Sequence, residues 1–158
     1  MPAPEPKLRV RALRHLARRE YTRQELARVL ALHAENEAEV ETVLDEFSQR
    51  GWLSETRAAE QLVHARRGRY GPVRIRRDLE AKGVSAEVIG NTVASLKAGE
   101  FEAARAVWQK KFREPAGSAA ERAKQARFLM GRGFSSAVIT QLLRSLGRGK
   151  TEDNGDKS

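Results

Sequence analysis

The chain has 158 residues, 40% of them apolar, and its 30 Lys and Arg against 21 Asp and Glu give a formal charge of +9. That length holds one ordinary domain or a short repeat array with a thin core, and the positive field draws polyanions, either nucleic acid or a partner with an acidic face. The absence of Cys excludes disulfide and thiolate chemistry. With no secretory-type segment and no apolar run of bilayer length, the expected setting is the cytoplasm.

In chain order, Met1 to Pro6 carries three prolines and reads as a tail. Val10, Leu13, Leu16 and Ala17 form an apolar stripe that predicts a first helix ending near Arg18-Arg19-Glu20. Thr22 and Glu25 have capping-box spacing and open a second helix with Leu26, Val29 and Leu30 inward. A third is expected from Glu37 to Arg50, stopped by Gly51. The plan then recurs. Helices are predicted over Arg57 to Arg67, Pro72 to Lys82 and Ser85 to Lys97, with a core of Leu62, Val63, Ile75, Leu79, Val88 and Ile89. A third group runs from Phe101 to Phe112, resumes at Ser118 with Glu121 as a further capping box, and ends in a helix capped by Ser135.

These groups share a period. Val40, Leu44 and Phe47 are echoed by Ile89, Val93 and Leu96, and again by Ile139, Leu143 and Leu146, while Gly83 returns as Gly133 behind a basic residue. Self-similarity at this spacing marks stacked helical units, which bury a core between neighbours and offer one long surface to a partner. No stretch alternates with period two, so the fold class is all-α: a tandem array of three three-helix repeats at 7–55, 56–100 and 101–147. Residues 1–6 and 148–158 are expected to be disordered tails.

Ala12-Leu13-Arg14-His15-Leu16-Ala17-Arg18-Arg19 with Thr22-x-x-Glu25-Leu26 resembles the opening of the RecX family, regulators of the bacterial recombinase RecA. Four further strings follow in the family's order: Gly51-Trp52-Leu53-Ser54-Glu55-x-Arg57; Gly71-Pro72-x-Arg74-Ile75 leading to Leu79-x-x-Lys82-Gly83-Val84; Ala104-Arg105-x-x-Trp108-x-Lys110-Lys111-Phe112; and Gln125-Ala126-Arg127-Phe128-Leu129-x-x-Arg132-Gly133-Phe134. One departure is Ala58-Ala59, where the family commonly has an aromatic before the alanine. The resemblance implies an elongated, curved array that is not an enzyme and carries no cofactor. It further implies a protein that binds RecA and its filament on DNA, and dampens strand exchange, ATP hydrolysis and the co-protease role.

Charge suggests where such contacts lie. Arg66, Arg67, Arg69, Arg74, Arg76 and Arg77 cluster around Tyr70, and guanidinium groups pair bidentately with phosphates or carboxylates. Arg74 and Arg77 are expected to share an exposed helix face. Lys110, Lys111 and Arg113 around Phe112 form a second candidate, although cations at a helix C-terminus also have a structural reason to be there. Arg9, Arg11, Arg14, Arg18 and Arg19 fit helix-terminal or solvated roles equally well. Trp52 and Trp108 read as core; Tyr70, flanked by glycines in a basic loop, is the aromatic suited to a partner.

Catalytic readings fail on the residues. Gly149-Lys150-Thr151 lacks the leading glycine of a phosphate loop, since Arg144 stands there. His15, His33 and His64 have no metal-site spacing, and adjacent acids such as Asp45-Glu46 do not share a helix face. The leading reading is thus a RecA regulator, with a monomer as the default that the low apolar content suggests. The alternative is a stand-alone, non-sequence-specific DNA-binding protein with helix-turn-helix-like repeats, whose weak affinity falls steeply with salt.

Overall fold

The computed structural model describes residues 7–155, with side chains described to Arg148. Among the described residues the chain forms nine helices and no strand: α1 Leu8–Leu16, α2 Arg23–Ala31, α3 Glu37–Gln49, α4 Glu55–Arg66, α5 Pro72–Ala81, α6 Ala86–Ala98, α7 Glu100–Lys111, α8 Ala119–Gly131 and α9 Ser136–Gly155. The all-α expectation holds. The N-terminal segment read as a tail lies outside the described residues. At the other end, backbone assigned to a tail from residue 148 is helical to Gly155, a stretch without proline to break the ladder.

The chain divides into two compact units. One is formed by residues 7–64 with 78–90, the other by 65–77 with 91–155, so the middle repeat contributes to both. In the first, α1, α2 and α3 pack around Leu26, Leu30, Leu44 and Phe47, all fully buried. In the second, α7, α8 and α9 enclose Ala104, Trp108, Leu129 and Leu142. The periodic positions behave as the repeat requires: Val40, Leu44, Phe47, Ile89, Val93, Ile139 and Leu143 are buried, and Leu96 and Leu146 half-buried.

The helix signals act through identifiable bonds. Thr22 and Glu25 form the reciprocal capping box: the Thr22 hydroxyl accepts from the Glu25 amide, and the Glu25 carboxylate accepts from the Thr22 amide. Ser118 caps α8 by accepting from the Glu121 amide, but Glu121 reaches one residue further back, to the Gly117 amide, so the expected box is shifted. Asn36 and Glu39 repeat this shifted arrangement at α3, with Glu39 on the Glu35 amide. α4 begins two residues earlier than predicted because Ser54 caps it, accepting from the Arg57 amide at 3.2 Å.

Gly83 and Gly133 recur because they end α5 and α8 in the same way. Each takes a left-handed φ, 76° and 89°, which lets the next amide reach back across the turn, Val84 to the Leu79 carbonyl and Phe134 to the Leu129 carbonyl. In the second and third repeats a carboxylate at the start of the first helix then ties it to the start of the third helix. Glu55 accepts from the Ser85 amide at 2.8 Å in the first unit, and buried Glu100 accepts from the Ser135 amide at 2.7 Å in the second.

The first helix corrects the sequence reading. Leu8 and Ala12 are buried and Leu16 packs beside them, whereas Val10 and Leu13 are 39% and 38% exposed. The inward stripe therefore runs i, i+4, i+8 from Leu8. Because helical rows at spacing three and four both start from apolar residues here, only the position of α2 and α3 selects between them.

Candidate functional site

In the second unit the loop between α4 and α5 lies against the turn between α8 and α9. The Gly71 amide donates to the Arg132 carbonyl at 2.8 Å and the Val73 amide to the Gly133 carbonyl at 2.9 Å. The approach is close: a methyl group on Gly71 would fall 2.5 Å from the Gly133 oxygen, and one on Gly133 would fall 2.3 Å from Arg74 Cβ. These bonds fix Tyr70 beside the end of α8.

Around Tyr70 gather three guanidinium groups, those of Arg74, Arg132 and Arg66, at 4.8, 5.5 and 5.7 Å from the ring centre. Arg132 also lies 5.1 Å from the ring of Phe128, with Lys111 on the same ring at 5.5 Å. Phe128 is held edge-on against Phe112. Gly68, Arg69, Tyr70, Val107, Lys110, Lys111, Phe128 and Arg132 line one open pocket of about 420 Å³, and none of these residues is acidic. Cations at such distances from aromatic faces are attracted by the ring quadrupole.

The structure thus joins two candidates that are far apart in sequence, Arg69-Tyr70 and Lys110-Lys111. It adds Arg132 and Phe128, neither of which charge patterning had singled out. A lone arginine at a helix end has a sufficient capping explanation, and only its repeat relation to Lys82 sets it apart. Arg67, Arg76, Arg77 and Arg113 are exposed and do not line the pocket. Arg74 does not share an exposed face with Arg77: it is half-buried over Tyr70 with its stem against Gly133. Reversing its charge would disturb packing as well as any contact.

Basic residues of the first unit also have structural partners. Arg9 makes a two-pronged hydrogen bond to Glu46 at 2.9 to 3.1 Å, which raises the Arg9 pKa and holds the Glu46 carboxyl below its ordinary value. Arg23, bonded to Asp45 and Glu41, is likewise raised. Arg19 covers the ring of Tyr21 at 3.6 Å and pairs with Glu25, and Arg57 bonds Glu20 and two carbonyls at the end of α3.

The tryptophans separate. Trp108 is buried, with its indole N–H donated to Gln125 at 2.9 Å, as a core residue should be. Trp52 is not core: it is 38% exposed, edge-on to Phe47, with Arg50 and Arg9 at 4.9 and 5.7 Å from its ring. Among the described residues no cluster of His and carboxylates is arranged to hold a metal ion, and no helix is long and apolar enough to cross a membrane.

Fold and site together define a protein of tandem three-helix repeats with a cationic, aromatic-floored pocket, a binding architecture. The family models for the first, second and third three-helix domains of RecX match residues 9–47, 54–92 and 98–143. The protein named Regulatory protein RecX in Leptothrix cholodnii is 46% identical over 96% of each chain, and that of Ralstonia nicotianae 44% identical over 95% of this chain and 93% of its own. The crystal structure of RecX from Lactobacillus salivarius superposes with a TM-score of 0.74 at 18% identity, covering 89% of this chain and 95% of that one. The chain belongs to the RecX family of regulatory proteins.

Proposed function

We propose that the chain regulates a bacterial RecA recombinase, binding the protein and its filament on DNA and damping strand exchange, ATP hydrolysis and co-protease activity. The observation that carries this reading is the match of all three RecX domains, in order, together with relatives named as regulatory proteins over nearly their whole length. The repeats lie across adjacent recombinase subunits in the filament groove, oppose their cycling and block addition of further subunits. Exposed cations such as Arg67, Arg76, Arg77 and Arg113 supply long-range attraction to the polyanionic filament.

The test is the DNA-dependent ATPase of the cognate recombinase, titrated with this protein at two salt concentrations and with DNA in excess. Inhibition well below one protein per recombinase subunit is expected. No inhibition, or inhibition that excess DNA abolishes, would replace this reading with that of a stand-alone DNA-binding protein.

A further inference from the structure

The two units build the same junction with opposite charge at one position. Counting from the fully buried leucine that closes the core row of each helix, Leu30 on α2 and Leu79 on α5, places Tyr21 opposite Tyr70, Thr22 opposite Gly71 and Glu25 opposite Arg74. In both units the cap residue is tied to the carbonyl of a repeat-equivalent basic residue, Thr22 to Lys82 and Gly71 to Arg132. In the first unit Glu25 serves the cations of that junction: its carboxylate lies 3.2 Å from Arg19 and 3.8 Å from Lys82. In the second unit an arginine stands in the glutamate's place, and the adjoining pocket is lined by Arg69, Lys110, Lys111 and Arg132 with no acid among its lining residues. The four cations that line the pocket repel one another, and an anionic ligand relieves that repulsion.

The ligand is more than an anion. The pocket has two aromatic rings, Tyr70 and Phe128, with the Arg132 guanidinium near both, and its volume of about 420 Å³ falls in the range that holds small organic molecules, roughly 300–1,000 Å³. A flat ring that is both apolar on its face and attached to phosphates matches these groups. We propose that this pocket takes one unstacked nucleotide of single-stranded DNA, its phosphate against Arg69, Lys110 and Lys111 and its base against Tyr70, Phe128 and the Arg132 plane. A duplex enters poorly, because flipping a paired base out of the stack costs a few kcal/mol. The pocket therefore makes the repeat array a reader of strandedness, a property beyond the recombinase regulation proposed above.

The experiment is direct binding by the full chain, with no recombinase present, so its outcome is independent of the ATPase titration. Fluorescence anisotropy compares a short oligothymidylate, an abasic strand of the same length and a duplex. The parent protein should bind the oligothymidylate roughly five- to a hundredfold more tightly than the abasic strand, the range that stacking of a base on aromatic groups supplies. Arg69→Ala with Lys110→Ala should weaken both single strands alike and lower the salt slope by about one or two. Tyr70→Leu should erase the difference between the two strands while sparing the abasic one. Equal affinity of the parent for both strands overturns the proposal without recourse to any variant. So does duplex binding as tight as single-strand binding, or an oligoglutamate that displaces the oligothymidylate at lower concentration than the abasic strand does, which would assign the pocket to an acidic protein segment.

Discussion

Gln125 bridges two groups that need it: its carbonyl accepts the Trp108 indole N–H at 2.9 Å, and its amide donates to the Glu114 carbonyl at 3.3 Å. Gln125 is itself buried. Replacing it with Leu keeps the volume but leaves the indole donor without an acceptor, which costs about 1–3 kcal/mol. Urea denaturation followed by tryptophan fluorescence reads this; a loss below about 0.5 kcal/mol would mean that the indole finds another acceptor. At this scale the sequence spoke unevenly. Trp108 was legible as core because Ala104 and Phe112 flank it at helical spacing. Trp52 also reads as core and is not, because what covers its ring are Arg9 and Arg50, and a charged side chain lying over an aromatic face leaves no apolar pattern to read.

Helix starts illustrate how much one element owes to the next. Thr22 and Ser118 are both N-caps that accept an amide hydrogen bond, from Glu25 and Glu121. Ser118 is exposed, whereas fully buried Thr22 also donates its hydroxyl to the Lys82 carbonyl of the following repeat. Ser118→Ala should cost about 0.5–1 kcal/mol, as exposed caps do, and Thr22→Ala about 2 kcal/mol, since a part-buried carbonyl also loses its donor. Equal losses in chemical denaturation would show that the Lys82 bond contributes nothing. The cap itself was legible from Thr22-x-x-Glu25, while its second bond was not, because a hydroxyl's partner in another repeat leaves no local spacing. The charge exchange of Glu25 for Arg74 is readable in sequence only after the leucines of α2 and α5 set the register.

Across the whole chain, the repeat period was the most legible feature, because each unit must present the same apolar rows to be buried. Charge was legible as a sum, +9, but not as a distribution. The pairs Arg9–Glu46, Arg23–Asp45 and Arg57–Glu20 consume cations of the first unit, yet each involves a side chain at least 34% exposed, where an ion pair contributes about 0–1 kcal/mol. Self-repulsion of the net charge acts on the entire molecule and is screened with a Debye length of about 10 Å at 0.1 M salt. Raising salt from low to physiological strength should therefore raise the melting temperature slightly, because screening relieves repulsion more than it weakens exposed pairs. Polyanion binding should weaken over the same interval, because counterions released into a more concentrated salt solution gain less entropy. A melting temperature that falls with salt would mean that the ion pairs of the first unit outweigh the net charge. Paired measurements on Arg9→Ala would then locate the effect, since that variant should lose most of the salt sensitivity if the Glu46 network is its source.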